Sequence, residues 1–464
     1  MDAFLNLRDA AVLVLGLGES GLAMVRHCWR QGARVRVADS RETPPGVAAL
    51  QALEGVEVIT GAFDTGLLDG IEIVAISPGI AVHEPVVKEA AARGLPVVGE
   101  IELFAQALHA DGQEARVIAI TGTNGKTTST SLMGALCRAA GFETAVAGNI
   151  SPAALDEWMR REDAGSIAQI WVLELSSFQL ETTHSLAADA ASVLNVTDDH
   201  LDRHGDMDEY GLAKARIFQG RGAQVLNRGD ARVMDMRLQG RRALSFGLDA
   251  PAGEDDFGLR DHAGERWLAR GQVLLMRRAE LPLAGDHNVE NALAALALGQ
   301  ALDLSLERMC AALASFRGLP HRVEPVARRE DGVVFIDDSK GTNVGATVAA
   351  LKGLGRKVVL IAGGDGKGQD FTPLAEVFSR HARAVVLIGR DAQRIADAVA
   401  GCGVPLHFAA DMQAAVEEAN RLAMAGDVVL LSPACASLDM FRNYAHRAEV
   451  FCGAVRSLPG VHSE

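Results

Sequence analysis

The chain has 464 residues, enough for about two to four domains with separate cores. Its 45 basic and 60 acidic side chains leave a formal charge of −15, which excludes broad coating of nucleic acid or of an acidic membrane surface. Local lysines and helix N-termini can still hold an anionic ligand. The cysteines, at 28, 137, 310, 402, 435 and 452, form no CxxC pair, so neither a zinc site nor a disulfide framework is expected. Charge or turn residues break every long apolar stretch, and no signal-like segment opens the chain. A soluble cytoplasmic protein is the expectation.

An apolar run at residues 10–15 predicts a buried strand. Gly16-Leu17-Gly18-Glu19-Ser20-Gly21 follows and opens a helical stretch at 22–29. A second strand at 33–38 ends on Asp39. Further strand-then-turn steps occur at 71–76 before Ser77-Pro78-Gly79 and at 96–98 before Gly99. Such alternation predicts a parallel sheet covered by helices. The glycine spacing with Asp39 downstream has the form of a dinucleotide fingerprint. It points to a phosphate-bearing ligand more firmly than to NAD.

A second unit begins after Asp111-Gly112-Gln113-Glu114. The strand at 117–120 runs into Gly122-Thr123-Asn124-Gly125-Lys126-Thr127-Thr128, and a helix is expected at 129–140. Glycines between strand and helix let backbone N–H groups curl around phosphate oxygens. Lys126 supplies a charge for the terminal phosphates and Thr127 a hydroxyl for magnesium. This loop is shorter than the common P-loop, with only Thr123 and Asn124 between Gly122 and Gly125.

Glu174 ends the strand expected at 170–173, where a carboxylate can hold magnesium directly or through water. Asp198-Asp199-His200-Leu201-Asp202 follows a strand at 191–196. There the imidazole suits a metal or phosphate, or the acids form an N-cap cluster. Asp206 with Glu209 resembles a capping box. Residues 242–281 lose helical periodicity and read as short strands and turns. Gly285-Asp286-His287-Asn288 then leads into a helix at 291–302.

Gly318-Leu319-Pro320 marks the next boundary. Strands at 333–336, 357–361, 384–388 and 427–431 alternate with helices beyond it. Three loops follow strands here: 337–343 (with Asp337, Asp338 and Lys340), 363–368 (with Lys367), and 432–437. Ligands bind at such carboxyl edges. Cys435 has no evident base partner and reads as a small packed residue. The chain is thus expected to be α/β throughout, in three domains with mostly parallel sheets.

In this order the motifs resemble the Mur ligase family of ATP-dependent amide-forming enzymes, over essentially the whole chain. The matching stretches include Gly148-Asn149-Ile150, residues 173–179, 195–200 and 210–214, His287-Asn288 with Asn291, Leu319-Pro320-His321-Arg322, Asp338-Ser339-Lys340 and residues 432–439. The resemblance implies a Rossmann-like UDP-binding domain at 1–102, a P-loop ATPase-like domain at 103–318 and a Rossmann-like amino-acid-binding domain at 319–464. It implies UDP-substrate contacts from Glu19, Ser20, Ser40, Arg41, Ser77, Gly79, Asn149 and His200. ATP would be held by Gly122, Thr123, Asn124, Gly125, Lys126, Thr127 and Thr128, with Asn288, Asn291, Arg322 and Asp338. Thr127, Glu174 and His200 would surround two magnesium ions, and Lys214 matches a lysine carbamylated in the family. The catalytic set so implied is Lys126, Glu174, His200 and Lys214. Thr342, Lys367, Ser437, Leu438 and Tyr444 would bind the amino acid.

The implied reaction is ATP-dependent addition of D-glutamate to UDP-N-acetylmuramoyl-L-alanine through an acyl phosphate, with closure of the third domain about residues 318–320. Neither nucleic acid nor an obligate protein partner is expected. Ser151, Gly341, Tyr444 and Ala448 depart from residues common in the family. The Asp-Asn-Pro-Arg signature of the diaminopimelate-adding ligase is absent. The alternatives are another amino-acid ligase of this family, including one adding L-glutamate, an NAD-dependent oxidoreductase, or a nucleotide-gated binding protein.

Overall fold

The computed structural model describes every residue except 1–3, 111, 113, 284, 317, 320 and 464. Asp111 and Gln113 of the expected linker and Pro320 of the expected boundary lie outside the described residues. Two compact units emerge: Met1–Val196 with Asp208–Arg278 and Asn291–Ala314, and Thr197–Met207 with Ala279–Glu290 and Ser315–Glu464.

The first unit holds two sheets. One contains β1 (Ala11–Leu15), β2 (Arg34–Asp39), β3 (Glu57–Thr60), β4 (Ile73–Ile76) and β5 (Val97–Val98), in the order β3-β2-β1-β4-β5. All pairs are parallel, and every residue of β1 is buried. A strand covered on both faces reads as an unbroken apolar run, which is why β1 stands out in the sequence. The order reverses beside β1, so the loops after β1 and β4 meet where such sheets bind ligands.

The second sheet contains β6 (Arg116–Thr121), β7 (Thr144–Gly148), β8 (Ile170–Glu174), β9 (Ala190–Val193), β10 (Ala223–Asn227), β11 (Ala243–Phe246), β12 (Asp256–His262), β13 (Glu265–Arg270) and β14 (Val273–Arg277). Its order is β14-β13-β12-β11-β10-β9-β6-β8-β7. Pairing is parallel from β7 to β12, then antiparallel through β13 and β14, the short-strand stretch expected near 242–281. β6 lies between β8 and β9, so the loop after β6 opens at the switch in strand order.

The second unit carries β15 (Glu324–Arg329), β16 (Val334–Asp337), β17 (Val358–Gly363), β18 (Ala382–Ile388), β19 (Leu406–Phe408), β20 (Val428–Leu431) and β21 (Val461–Ser463), ordered β19-β18-β17-β20-β16-β15-β21. The run from β19 to β16 is parallel; β15 is antiparallel to both its neighbours. Apolar side chains fill both faces of this sheet, around Leu360 and Phe378 on one and Val386 and Phe451 on the other.

Two helices begin earlier than their apolar pattern predicts. Lys126–Ala139 starts at the phosphate-loop lysine, and Asp286–Ala301 takes in the polar Asp286-His287-Asn288 turn. Among the described residues no helix is long and apolar enough to cross a membrane.

The first glycine loop supplies a matched pair of tests. A Cβ on Gly21 would lie 1.9 Å from the Gly16 carbonyl oxygen and 2.8 Å from Ser77 Oγ, whereas one on Gly18 meets nothing within 4 Å. Gly21→Ala is expected to destabilise the protein by at least about 1–3 kcal/mol. Gly18→Ala should cost below about 1 kcal/mol. Urea denaturation of the two variants side by side checks the difference.

Candidate active site

The loop after β6 is held open by its own backbone. Gly122 has φ +155° and Gly125 φ +80°, and a Cβ on Gly125 would sit 2.4 Å from Asn291 Oδ1. Asn195, just past β9, clamps the loop from the side. Its carbonyl accepts from Thr123 N–H at 2.9 Å, its Oδ1 accepts from Asn124 N–H at 2.8 Å, and its Nδ2 donates to Asn124 O at 3.2 Å. Lys126 Nζ curls back onto the carbonyls of Gly122 and Thr123, at 2.8 and 2.9 Å. Thr127 and Thr128 are buried in the first helical turn, where orphan N–H groups favour an anion. Asn291 Oδ1 accepts from Ser129 Oγ at 3.1 Å, so this carboxamide lies beneath the loop.

Glu174 ends β8 opposite Ile120 of β6, one strand from the loop. It is 1% exposed, and its Oε1 accepts from Asn149 Nδ2 at 2.7 Å. Its other oxygen, Oε2, is buried and accepts no hydrogen bond among the described residues. Asn149 N–H also donates to Glu174 O, at 2.7 Å. Lys214 is equally buried: Nζ donates to Gly122 O at 3.0 Å and lies 4.4 Å from the centre of the Tyr210 ring. The Tyr210 hydroxyl is 3.3 Å from Thr123 Oγ1. A helix lysine that sequence patterning leaves on the surface is thus seated against the phosphate loop.

At the first glycine loop, Ser77 Oγ donates to Gly16 O at 2.8 Å and is spent on loop shape. Asp39 is 2% exposed, and both its oxygens are engaged. Leu17 N–H donates to Oδ2 at 2.7 Å, and Arg41 reaches Oδ1 through N–H and Nε and Oδ2 through Nη2 at 2.6–2.9 Å. The Arg41 guanidinium holds the Asp39 carboxyl down at about 2. An acid committed in this way is not poised to receive a ribose hydroxyl, which counts against a dinucleotide. Glu19, Ser40, Arg41 and Gly79 are exposed, and Ser20 is partly so. Glu19 Oε2 accepts from Ser151 Oγ at 2.8 Å, joining this loop to the one that carries Asn149.

The second unit gathers its predicted residues at one sheet edge. Asp365 and Ala436 exchange backbone hydrogen bonds of 3.0 and 2.8 Å, and Ala434 N–H donates to Gly341 O at 3.0 Å. The loops with Thr342, Lys367 and Ser437 are thereby laced together. Lys367 is exposed with φ +49°, and Leu438 is 72% exposed. Tyr444 OH accepts from Lys340 Nζ at 3.2 Å, so the residue departing from phenylalanine orients a lysine. Arg447, fully buried, donates to Cys435 O and Ser339 O at 3.1 and 2.8 Å. Burial pushes the Cys435 thiol up to about 12, consistent with a packed rather than nucleophilic cysteine. Asp338 accepts from Ser432 Oγ at 2.7 Å, and burial raises its carboxyl to about 7 despite the Arg322 charge. His321 Nδ1 lies 2.7 Å from Asp337 Oδ2. His200 has φ +57°, its N–H donates to Asp199 Oδ1 at 3.0 Å, and Asp199 Oδ2 accepts from Asn343 Nδ2 at 3.4 Å.

Comparison with known proteins matches three family descriptions along the chain. They are Mur ligase MurD-like, N-terminal domain, at residues 10–99; Mur ligase middle domain at 120–299; and Mur ligase, glutamate ligase domain at 321–435. The chain belongs to the Mur ligase family. The UDP-N-acetylmuramoylalanine–D-glutamate ligase of Aromatoleum aromaticum is 60% identical over 457 residues, covering 97% of this chain and 98% of the relative. The ligase of the same name from Nitrosospira multiformis is 56% identical over 463 residues, covering 99% and 98%. Among solved structures, a UDP-N-acetylmuramate-alanine ligase from Thermotoga maritima superposes with a TM-score of 0.62 at 19% identity, covering 96% of this chain and 99% of that one. That likeness supports the α/β architecture.

As a Mur ligase the chain is an ATP-dependent enzyme that works with magnesium, and its residues fit both groups. The glycine cradle leaves room that a Cβ would fill, and the bare Glu174 Oε2 offers a hard oxygen ligand. Sequence reasoning had no role for Asn195, although an asparagine just past the strand beside a phosphate loop was a usable signal. Nor did it foresee that Asn149 and Glu174 share a hydrogen bond.

Glu100, at the start of the Glu100–Ala110 helix, was also passed over. It is 1% exposed, and burial raises its carboxyl to about 7, with the Asp156 and Glu19 charges adding to the rise. A carboxyl raised from 4.5 to about 7 on folding costs nothing while both states are protonated. Its penalty grows as pH rises from about 4.5 to about 7 and is constant above, on the order of 3 kcal/mol. Glu100→Gln removes that titration. Its thermal midpoint relative to wild type is expected to climb between pH 4.5 and 7 and level off above, as differential scanning calorimetry across pH will read.

Proposed function

We propose that the chain joins D-glutamate to UDP-N-acetylmuramoyl-L-alanine in peptidoglycan precursor synthesis, releasing ADP and phosphate. The observation that carries this reading is near-full-length identity of 60% to a ligase of that name, on a chain whose phosphate loop adjoins a buried, bare carboxylate oxygen. We assign three domains, at 1–102, 103–318 and 319–464, to the UDP-linked substrate, ATP and the amino acid. The cytoplasm is the assigned compartment.

An amine does not displace carboxylate oxygen unaided. The alanyl carboxylate therefore attacks the γ-phosphorus, an O–P bond forms, and the β,γ-bridging P–O bond breaks to release ADP. The D-glutamate nitrogen then adds to the acyl carbon and loses a proton, and inorganic phosphate departs with the C–O bonding pair. Residues 122–128 hold the phosphate chain, and Lys126 turns from its own loop carbonyls to the transferring group, where its charge matters most in the transition state. Thr127, Glu174 and His200 are assigned to magnesium, which would supply further charge neutralisation when bound. Asn288, Asn291, Arg322 and Asp338 are assigned to ATP. Glu19, Ser20, Ser40, Arg41, Ser77, Gly79, Asn149 and His200 are assigned to the UDP-linked substrate. Thr342, Lys367, Ser437, Leu438 and Tyr444 are assigned to D-glutamate, where a lysine beside hydroxyls suits a dicarboxylate.

Lys214 is assigned as a carbamate: its neutral amine adds to carbon dioxide, a C–N bond forms, and a proton leaves. The product is an anion suited to a metal, and the buried position beside Gly122 supports it.

Incubation with ATP, magnesium, UDP-N-acetylmuramoyl-L-alanine and either D- or L-glutamate is the direct test. Product mass and phosphate release should match with D-glutamate alone. Product with L-glutamate alone overturns the stereochemistry, and none with either overturns the assignment. Lys126→Ala is expected to lower turnover by at least about a thousandfold. Lys214→Ala should be comparably impaired, and short carboxylic acids should restore part of its activity; activity like wild type removes the carbamate.

A further inference from the structure

The loop between β7 and the Ala154–Asp163 helix joins both assigned ligand sites. Its Asn149 is bound to Glu174, and its Ser151 to Glu19 of the first glycine loop. The loop's far end runs into a helix whose N-cap is Ala153, a residue with no side chain to satisfy the first N–H groups. Those groups are also buried, since Ala153, Ala154 and Leu155 are each at most 1% exposed. The missing acceptor comes from another helix. Glu100 Oε1 accepts from Leu155 N–H at 2.7 Å, and the Ala154 N–H bonds to the same carboxyl.

Glu102, two residues on, shows that this arrangement is not simply helix docking. Its carboxylate accepts from His184 N–H, Ser185 N–H, Ser185 Oγ and Gln106 Nε2, so it already pins the Glu100–Ala110 helix to the central sheet's connections. Glu100 adds a contact to the helix behind the Asn149 loop, and among the described residues its buried Oε2 accepts no hydrogen bond.

We propose that Glu100 is a positioning residue for the UDP-linked substrate, capping the Ala154–Asp163 helix from outside and so setting the loop that presents Asn149 to Glu174 and Ser151 to Glu19. This rests on the assignment of that loop to the UDP-linked substrate. Losing the cap frees the first turn of the helix and lets the loop leave its place. Nucleotide binding at residues 122–128 depends on it much less, because Asn195 holds that loop separately.

The test reads binding rather than turnover. Affinities of wild type, Glu100→Ala, Glu100→Gln and Glu100→Ala with Ala153→Ser are measured by calorimetry for UDP-N-acetylmuramoyl-L-alanine and for a magnesium complex of a non-hydrolysable ATP analogue. Amide exchange is followed at residues 149–155. Glu100→Ala should weaken the UDP compound by about three- to thirtyfold, the range a lost helix cap corresponds to. It should speed exchange at Ala154 and Leu155 and weaken the magnesium–nucleotide complex much less than the UDP compound, since Asn195 holds the phosphate loop separately while Asn149 braces only Glu174. Glu100→Gln keeps an oxygen for Leu155 and should bind like wild type, and Ala153→Ser, a cap within the helix itself, should rescue Glu100→Ala. If Glu100→Ala does not fold, Glu100→Asp, whose carboxylate is drawn back by one methylene, is read in its place. Unchanged affinity for the UDP compound, equal weakening of both ligands, or no rescue by Ala153→Ser overturns the proposal. A wild type that binds nucleotide but no UDP compound overturns the substrate assignment along with it.

Discussion

A carboxylate buried at the end of a central strand, that of Glu174, constrains what surrounds it. An ionised oxygen withdrawn from water costs several kcal/mol unless donors or a cation face it. Here Oε1 has the Asn149 amide and, among the described residues, Oε2 accepts no hydrogen bond, so the site offers an oxygen to a cation. The neighbouring backbone is arranged to accept the opposite sign. Glycines of positive φ shape the phosphate loop ahead of a helix N-terminus, and Lys126 and Lys214 both rest on the Gly122 carbonyl. Anion cradle and bare carboxylate stand on adjacent strands, which is the pairing a magnesium–nucleotide complex matches.

The parts of the fold legible in the sequence are those that physics makes repetitive. β1, β6, β8 and β17 are covered on both faces and read as unbroken apolar runs. β3 and β19 are edge strands with mostly exposed or half-buried residues, and nothing in their side chains announces them. Helix starts were misplaced for a related reason. The Lys126–Ala139 helix begins where Gly125 turns the chain, several residues before its apolar pattern. A start set by backbone dihedrals leaves no mark in hydrophobic periodicity.

At the candidate site, short-range chemistry was legible and long-range pairing was not. Gly122, Gly125, Lys126 and Thr127 carry their purpose in adjacent letters. Asn149 with Glu174, Asn195 with Asn124, and Lys340 with Tyr444 are 25, 71 and 104 residues apart, and only the fold brings them together. Asp39 is the instructive near miss. Its spacing from the glycine loop is that of a ribose-binding acid, yet Arg41 two residues later turns it into a brace for the loop. The spacing defines where the acid stands, and the neighbouring guanidinium decides what is left for it to do.

The buried carboxyls show how hydrogen-bond donors and burial compete in this fold. Glu102 has donors on both oxygens and is held below the usual glutamate range by them, against its burial. Glu100, two residues away on the same helix, has donors on one oxygen and two acids nearby, and sits near 7. Asp338 sits near 7 although both its oxygens accept, from Val323 N–H and the Ser432 hydroxyl, because complete burial outweighs these donors and the Arg322 charge. Glu102, less deeply desolvated and supplied with four donors, stays an anion and serves as a staple. Glu100, with donors on one oxygen, keeps a proton available near neutral pH and so tolerates an acidic neighbourhood that would expel a fixed charge. That tolerance explains how Glu100 can cap a helix beside Asp156 and Glu19, where a second permanent anion would push the loop apart.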